Sequence, residues 1–249
     1  MSRYDFTAQR LFVRAPLHEG AEIEPGRNQA NYLLNVLRLA AGEHILLFNG
    51  TDGEWKARIE RQGRKQARLA VEEQTRPQTP PSDIHYLFAP LKQARLDYMI
   101  QKAVEMGAGH LRPVVTRHTQ VRKLNMERIE ANAIEAAEQC GILSLPQIED
   151  IVNLDKLIET WRPSRRLIFC DEGEEGDDPV VILSNLAPGP LAVLVGPEGG
   201  FAEEERQLLR RQHFVTALPL GPRVLRADTA AVAALALVQA VCGDWRRAG

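Results

Sequence analysis

The chain has 249 residues, of which 44% are hydrophobic and 26% charged, with a formal net charge of -2. This composition is typical of a globular protein that is long enough for one large domain or two. No apolar run approaches the roughly 20 residues that span a bilayer, and the start Met-Ser-Arg-Tyr-Asp lacks a signal-peptide core, so we expect a cytoplasmic protein. Three widely separated cysteines and six histidines without metal-ligand spacing predict no disulfide framework and no metal.

The N-terminal part of the sequence predicts a small β-rich domain. Short apolar segments bounded by turn residues accompany a single segment of helical periodicity. The predicted elements are a strand at residues 9–14, a helix at 27–39, and strands at 44–48, 54–60 and 67–72. Short strands packed this densely around one helix predict a barrel-like domain over residues 1–75.

Residues 76–83 contain three prolines within five positions, which predicts a linker because proline extends neither a strand nor a helix. Strands and helices then alternate. The predicted strands are 85–91, 111–116, 146–151, 166–170, 191–195 and 215–218, and the predicted helices are 96–106, 126–140, 154–161, 202–211 and 230–241. This alternation predicts a second α/β domain over residues 84–249, with a parallel sheet covered on both faces.

Two glycine-containing loops near the C-terminus each join a predicted strand to a predicted helix. The first is Gly-Pro-Glu-Gly-Gly at residues 196–200, and the second is Leu-Gly-Pro-Arg-Val-Leu-Arg-Ala-Asp-Thr at residues 220–229. Glycine at a strand end lets the backbone approach a ligand closely, and the carboxyl ends of parallel strands are the usual ligand site. Alone, the first loop is more typical of a plain turn, but the pair in this order favours a pocket.

The residues around these loops also limit what such a pocket binds. Glu203, Glu204 and Glu205 fall in the first turn of a predicted helix, where they disfavour a nucleotide phosphate. Gly-x-Gly-x-x-Gly after a strand, the Gly-Lys-Ser/Thr phosphate loop, His-Glu-x-x-His and Gly-x-Ser-x-Gly are all absent. Dinucleotide-binding, NTPase and hydrolase functions therefore lack their usual signals.

The two loops support a family resemblance. Val-Gly-Pro-Glu-Gly-Gly at 195–200 and Leu-Gly-Pro-Arg-Val-Leu-Arg-Ala-Asp-Thr-Ala at 220–230 closely resemble the signature pair of the bacterial 16S ribosomal RNA uridine-N3-methyltransferase family, in the SPOUT superfamily. The resemblance implies an α/β fold with a SPOUT-type parallel sheet and a C-terminal trefoil knot, plus a small N-terminal PUA-like β-barrel domain that binds RNA. It also implies S-adenosylmethionine as cofactor, 16S ribosomal RNA of the small ribosomal subunit as substrate, and a homodimer.

The resemblance also assigns residues, through the two loops and through matches that run from about residue 10 to 235. The implied catalytic residues are Arg226, Asp228 and Glu198. The implied cofactor-binding residues are Phe169, Leu194, Gly196, Pro197, Gly199, Gly200, Leu218, Leu220, Gly221, Val224, Leu225, Thr229 and Ala230. The implied RNA-binding residues are Arg10, Arg38, Lys92, Arg95, Lys102, Arg117 and Arg223. The family usually has Glu in place of Asp228 and commonly Arg in place of Ile142.

Several residues allow a second interpretation. Asp228 is either the N-cap of the last helix or a general base for uridine N3, and Glu198 and solvent are the other candidate bases. Arg226 is either a surface arginine or a group that holds RNA phosphate or stabilises charge on the uracil oxygens. Residues 92–128 carry eight Lys/Arg against three Asp/Glu, which indicates either a solvated face or an RNA-binding strip.

Two other functions remain open at this point. A SPOUT enzyme for another RNA, for example one that methylates a tRNA ribose 2'-hydroxyl, would use the same cofactor pocket. A non-catalytic RNA-binding module would bind RNA without consuming the cofactor. The apolar helix at 230–241 suits both a subunit interface and a monomer core.

Overall fold

A computed structural model describes residues 8–63, 66–171 and 178–246. The chain forms two compact units, one comprising residues up to Pro80 together with Ala137–Leu145, and one comprising Pro81–Ala136 and the residues from Pro146 onward. The division into domains at 1–75 and 84–249 with a linker at 76–83 stays a prediction. Within the described ranges, no helix combines the length and apolarity that crossing a membrane requires.

The N-terminal unit contains one five-stranded sheet and one short helix. Its elements are β1 (Arg10–Phe12), β2 (Glu22–Ile23), α1 (Arg27–Asn31), which continues as a π-helical turn over Tyr32–Val36, β3 (His44–Phe48), β4 (Glu54–Arg61) and β5 (Ala67–Arg76). The strand order is β1-β3-β4-β5-β2, with β1 parallel to β3 and the other neighbours antiparallel. Alternate residues of the strands enter a common core that includes Ile45, Leu47, Ile59 and Leu69.

A buried ion pair lies in this unit. The Arg10 side chain is 2% exposed and its Nε donates to Glu54 Oε2 at 2.9 Å, while Arg76 Nη2 donates to the same oxygen at 2.6 Å. Burial acts to raise the pKa of Glu54, but the hydrogen bonds from Arg76 and Thr75 outweigh it, so the pKa is lowered overall. Arg10 was predicted to bind RNA; the structure corrects this, because its guanidinium is enclosed in the unit and engaged by a carboxylate.

The second unit is an α/β fold around one parallel sheet. Its strands are β6 (Ile84–Phe88), β7 (Ala108–Val115), β8 (Gln147–Ile148), β9 (Val152–Asn153), β10 (Arg166–Cys170), β11 (Leu191–Val195) and β12 (Val215–Leu218). The helices are α2 (Gln93–Glu105), α3 (Met126–Cys140), α4 (Leu154–Glu159), α5 (Pro179–Ser184), α6 (Glu203–Arg210) and α7 (Ala227–Val241). The sheet order is β12-β10-β11-β6-β7-β8, and β9 pairs with β7.

Sequence patterns explain why these elements form. All five residues of β11 are buried, as expected for a central strand with helices on both faces. Helix α2 buries Leu96, Met99, Ile100, Ala103 and Val104, which follow the i, i+3, i+4, i+7, i+8 spacing of one helix face. The predicted parallel α/β fold is confirmed.

Most predicted elements match the observed ones within a few residues, and three observed elements were missed. The helix predicted over 27–39 ends its π-helical turn at Val36, and Arg38 follows with a left-handed φ of 57°. Strands β2 and β9, with two residues each, and helix α5, with six, have no counterpart among the predictions. All three are too short for hydrophobic periodicity to show.

Candidate active site

The carboxyl ends of four neighbouring strands meet at one edge of the parallel sheet. Cys170 pairs with Val195 and with Leu218, and Val195 pairs with Phe88, so the last residues of β12, β10, β11 and β6 lie side by side. The segments that follow these strands enclose a cavity of about 650 Å³. Its volume lies in the roughly 300–1,000 Å³ range of small-molecule sites.

Both glycine-containing loops line this cavity, as do residues at the start of α2. The predicted site residues on its wall are Gly196, Pro197, Glu198, Gly200, Leu220, Gly221, Arg223, Val224, Leu225, Arg226, Ala230, Lys92 and Arg95. Four other wall residues lie in segments 169–171 and 218–230, which the family resemblance also led us to expect around the cofactor, namely Cys170, Asp171, Pro219 and Ala227. Sequence reasoning missed Ala94, Val195 and Phe201. Residues distant in sequence are therefore brought together by the alignment of the strand ends.

Close packing shapes the first loop. A Cβ on Gly196 would lie 2.5 Å from the nearest carbon of the Phe201 ring, so no larger residue fits without moving that ring. Phe201 packs edge-on against Phe169, with ring centroids 4.8 Å apart. Gly200 has a φ of 65°, a conformation that glycine adopts without strain. The loop is thus a cradle whose backbone is open to the cavity.

Two side chains outside the loop hold it in place. His118 Nδ1 donates to the carbonyl oxygen of Gly199 at 2.9 Å, with that of Gly200 at 3.2 Å. Glu205 accepts the backbone N–H of Arg117 at 2.8 Å through one oxygen and that of Ala202 at 2.9 Å through the other. The acidic start of α6 thereby ties the segment after β7 to the helix that follows the loop.

Opposite charges meet at the mouth of the cavity. Arg95 Nη1 donates to Glu198 Oε1, which joins the start of α2 to the first loop. Lys92, Arg223 and Arg226 also line the cavity, and all three are exposed. The mouth therefore carries four cationic side chains of which one is paired with a wall carboxylate, an arrangement suited to a polyanion.

The carboxylate of Asp171, which directly follows β10, is fully enclosed. Its Oδ1 lies 2.8 Å from Arg206 Nη1 and its Oδ2 lies 2.8 Å from Arg210 Nη2, both on α6. These two ion pairs join the end of β10 to the helix after the first loop. No local sequence signal could have shown this, because the partners lie in separate strand-helix units.

The other predicted base lies on the last helix. Helix α7 begins at Ala227 with Arg226 as N-cap, so the interpretation of Asp228 as the N-cap is wrong: the helix starts two residues earlier than that interpretation requires. Asp228 lies in the first turn, where it suits the helix dipole, and its Oδ1 accepts the backbone N–H of Thr229 at 2.9 Å. It is not on the cavity wall, although Ala227 and Ala230 on either side are.

Two protein-family models match this chain. The family model for the RNA methyltransferase domain matches residues 78–239, and the model for the RNA methyltransferase PUA domain matches residues 25–72. Ribosomal RNA small subunit methyltransferase E of Rickettsia conorii is 32% identical to this chain over 232 residues, which cover 92% of this chain and 94% of the relative. The chain belongs to this methyltransferase family.

Two solved structures extend the relationship. Ribosomal RNA small subunit methyltransferase E of Neisseria gonorrhoeae, bound to S-adenosyl methionine, superposes with a TM-score of 0.84 at 27% identity, covering 96% of this chain and all (100%) of that one. A Legionella pneumophila protein in complex with SAM gives a TM-score of 0.81 at 30% identity, covering 95% and 99%. The predictions of the family, of an RNA methyltransferase and of an N-terminal PUA domain are confirmed.

Some residues assigned by the family resemblance lie away from the cavity wall. Phe169, Leu194 and Leu218 are fully buried beneath it, so they support the wall rather than form it. Gly199 contacts His118, and Thr229 is exposed on α7. The remaining basic residues are placed as follows: Lys102 pairs with Glu105 on α2, Arg117 is exposed after β7, and Arg38 is exposed in the N-terminal unit.

Proposed function

We propose that this protein transfers a methyl group from S-adenosylmethionine to N3 of a uridine in 16S ribosomal RNA of the small ribosomal subunit. The observation that carries the proposal is a single cavity lined by both signature loops, in a chain that matches its family over most of its length. The cations at the mouth of the cavity support an RNA substrate.

The cavity suits S-adenosylmethionine on its own features. It offers backbone groups at the ends of three parallel strands, apolar side chains such as Phe201 and Leu225, and a glycine, Gly196, that packs too closely against the Phe201 ring to leave room for a Cβ. The acidic first turn of α6 disfavours a phosphate but not a cofactor without one. When bound, S-adenosylmethionine supplies an electrophilic methyl group on a positively charged sulfur.

The roles of the charged residues follow from their partners. Uridine N3 must lose a weakly acidic proton before or during the transfer, and a positioned carboxylate can accept it. Glu198 would have to give up its ion pair with Arg95 to do so, whereas Asp228 is engaged only by a neighbouring backbone N–H among the hydrogen bonds that the structure shows. We therefore assign Asp228 as the base and Arg226 as the group that stabilises charge on the uracil oxygens.

RNA would lie over the basic mouth. Lys92, Arg95 and Arg223, which line the cavity, would contact phosphates, and such contacts position the RNA without reading its sequence. Arg117 and Arg38 are exposed and belong to the same proposal, as does the N-terminal domain as an RNA-binding module. Lys102 is engaged by Glu105 and is the weakest of these candidates.

The homodimer, the cytoplasmic location and the trefoil knot also remain part of the proposal. An interface is supported by apolar side chains left open to solvent, above all Val224, which is 81% exposed on the cavity wall. Val232 and Leu237 on α7 are half-buried. A second copy over this region would cover apolar surface and complete the mouth of the cavity. Light scattering on the purified protein should give twice the 27.8 kDa mass of one chain.

The direct test uses small-subunit particles from cells that lack this gene, incubated with purified protein and isotope-labelled S-adenosylmethionine. Mass spectrometry of the digested nucleosides should find the label in 3-methyluridine. Label in a different nucleoside, for example a 2'-O-methylated one, would refute the assigned substrate atom while retaining the methyltransferase. Absence of label despite measured cofactor binding would indicate a non-catalytic RNA-binding module.

Matched variants test the residue roles. Asp228→Asn should lower kcat about 10²- to 10⁴-fold, the usual contribution of a general base, and Arg226→Ala should lower it about 10²- to 10³-fold. Cofactor affinity should stay unchanged in both. The controls are Asp155→Asn, which alters another first-turn carboxylate, and Arg162→Ala, which alters an exposed arginine just before β10. Full turnover in Asp228→Asn would remove Asp228 as the base.

A further inference from the structure

A second cluster of reactive side chains lies off the cavity wall, on the three neighbouring strands β6, β7 and β8 at one side of the parallel sheet. His85 is the second residue of β6 and is paired in register with His110 of β7, while Glu149 directly follows β8. One ligand atom from each of these three residues lies within 4.8 Å of the others. Three chain segments that are distant in sequence therefore present two imidazoles and one carboxylate to a common point.

The geometry of this cluster leaves ligand atoms available. The His85 and His110 rings are stacked with centroids 3.8 Å apart, and His110 Nδ1 lies 3.7 Å from Glu149 Oε1, beyond hydrogen-bond distance. Among the described residues, His110 Nδ1 has no hydrogen-bond partner although it is buried. A buried polar atom without a partner is uncommon in folded proteins and calls for an explanation.

We propose that His85, His110 and Glu149 bind a divalent transition metal ion such as Zn²⁺. Two imidazole nitrogens and one carboxylate oxygen form a ligand set that these ions favour, whereas Mg²⁺ and Ca²⁺ prefer oxygen ligands alone. The side chains of His110 and Glu149 are 27% and 26% exposed, which leaves a path for an ion and a water as fourth ligand.

Binding requires only small movements. In a tetrahedral zinc site the ligand atoms lie about 3.3 Å apart, given metal–ligand distances of about 2.0–2.1 Å. The three ligand atoms now lie up to 4.8 Å apart, so binding an ion would shorten these distances by about 1.5 Å at most. Rotation of the imidazole rings about χ2 can supply this movement, because that torsion has a broad energy minimum. The three strand segments would stay in place while the stacked rings turn towards one point.

The neighbouring charges are nearly balanced. Arg112 Nε lies 3.2 Å from Glu149 Oε2, and Arg165 Nη2 donates to Asp83 Oδ1 at 2.6 Å, next to His85. The ion would compete with Arg112 for Glu149, and Asp83 would remain as a nearby carboxylate.

This inference is independent of the proposed methyl transfer, since none of the three cluster residues lies on the cavity wall. Its expected role is to tie β6, β7 and the segment after β8 together at the edge of the sheet. The alternative is a metal-free arrangement of stacked neutral imidazoles beside an Arg–Glu pair. The two differ in one measurable property, which is saturable binding of a transition metal ion to the folded protein.

The test begins with protein stripped of metal by a chelator and dialysed. Isothermal titration with Zn²⁺ should show one site per chain, and Co²⁺ should produce the visible absorption of a four-coordinate site. Zn²⁺ should also raise the thermal midpoint, because it binds the folded state only. Mg²⁺ should do none of these things. Absence of saturable Zn²⁺ and Co²⁺ binding would overturn the proposal.

Variants then locate the ion. His110→Ala and Glu149→Gln should each weaken Zn²⁺ binding at least about tenfold, since even the loss of a residue that only orients a ligand costs 10- to 100-fold. The control is His44→Ala, which removes a histidine 3.0 Å from the carboxylate of Glu72 in the N-terminal unit. It should leave affinity unchanged. If a variant proves unstable, His110→Gln provides a milder change, and circular dichroism without metal verifies folding.

The Zn²⁺ affinities and Co²⁺ spectra of the variants decide whether the ion binds at this cluster. Weakened Zn²⁺ affinity and a lost Co²⁺ spectrum in the His110 and Glu149 variants, with methyl transfer retained, support the site. Equal affinity in these variants and in wild type would refute the proposal, because the ion would then lie elsewhere.

Discussion

The loop between β11 and α6 offers a sharp test of how the cofactor cavity is built. In a Gly196→Ala variant the new Cβ would lie 2.5, 2.9 and 3.0 Å from three carbons of the Phe201 ring. Real Cβ atoms almost never approach this closely, so the ring must move. Phe201 is only 6% exposed and its far side meets the fully buried Phe169 ring. The displacement is therefore transmitted into the core below the cavity.

Two opposing effects determine how much stability the Gly196→Ala variant loses. Gly196 does not have a left-handed φ, so alanine adds no backbone strain. Replacing glycine also lowers the conformational entropy of the unfolded chain, which favours the folded state by about 0.4–1 kcal/mol. Overpacking of a filled core costs about 1–3 kcal/mol. The net destabilisation should be about 1–2 kcal/mol, which lowers the thermal midpoint by roughly 2–8 °C for a protein of this size.

The assay is thermal or urea denaturation, combined with titration of S-adenosylmethionine. The matched control is Gly189→Ala, because a Cβ at Gly189 meets nothing within 4 Å. The control should be as stable as wild type or slightly more stable, with unchanged cofactor affinity. Gly196→Ala should lose stability and bind the cofactor at least about tenfold more weakly. If both variants match wild type in midpoint and affinity, the Phe201 contact does not shape the cavity and the reasoning fails.

Three further predictions concern stability and reactivity. Glu54→Gln should destabilise the N-terminal unit by about 3–5 kcal/mol, because it leaves buried arginine charge uncompensated. Folding lowers the pKa of Glu54, so the wild-type protein should lose the stability that this carboxylate contributes as the pH falls below about 4.5. The variant has no carboxylate at this position and should not show this loss of stability. Gln239→Leu should cost about 1–3 kcal/mol, because the buried amide bonds the Met106 carbonyl and the Asp244 N–H. At pH 8 a thiol reagent should modify exposed Cys140 and spare Cys170, whose pKa burial raises to about 12.

Each of these predictions has its own control. Glu73→Gln removes a carboxylate that is 65% exposed and pairs with Lys56 on the surface, so it should cost at most about 1 kcal/mol; an equal loss from both glutamates would contradict the role of burial. Gln239→Glu retains the carbonyl-type acceptor, so it should keep the bond from Asp244; full stability of Gln239→Leu would show that neither bond matters. In denaturant, the thiol reagent should label all three cysteines. Fast labelling of Cys170 in the native protein would contradict the prediction, because it would show that burial does not protect this thiol.

Local sequence determined much of the secondary structure. The bounds of β3, α3, β10, β11 and β12 agree with the predictions residue for residue, because a strong apolar pattern or flanking turn residues define them. Helix α5 could have been found from its start, since Asp178 accepts the N–H of Val180 and proline follows at the first helical position. Without longer periodicity, this cap was the only local signal. The two-residue strand β2 carried none.

The wall of the candidate site was predictable in its loops but not in its supports. Both loops carry a recognisable order of glycine, proline and charged residues, and thirteen of the predicted residues line the cavity. Side chains that hold the first loop and its helix, such as His118 and Asp171, belong to other strand-helix units. Their partners are set by how strands align across the sheet, which no local pattern encodes. Arg10 was predicted to bind RNA because it matches a family position. That match does not reveal that its guanidinium lies in a buried ion pair with Glu54.

The sequence by itself determined the fold class, the two loops and the family, since these depend on periodicity and on residue types at short spacing. Only the tertiary structure decided which charges are paired, where α7 begins, and that two histidines and a glutamate from three separate segments meet at one side of the sheet. The physical reason is the range of the interactions. Helix and strand preferences act over a few residues, whereas ion pairs and ligand clusters depend on distances that arise only after the parallel strands have packed in register.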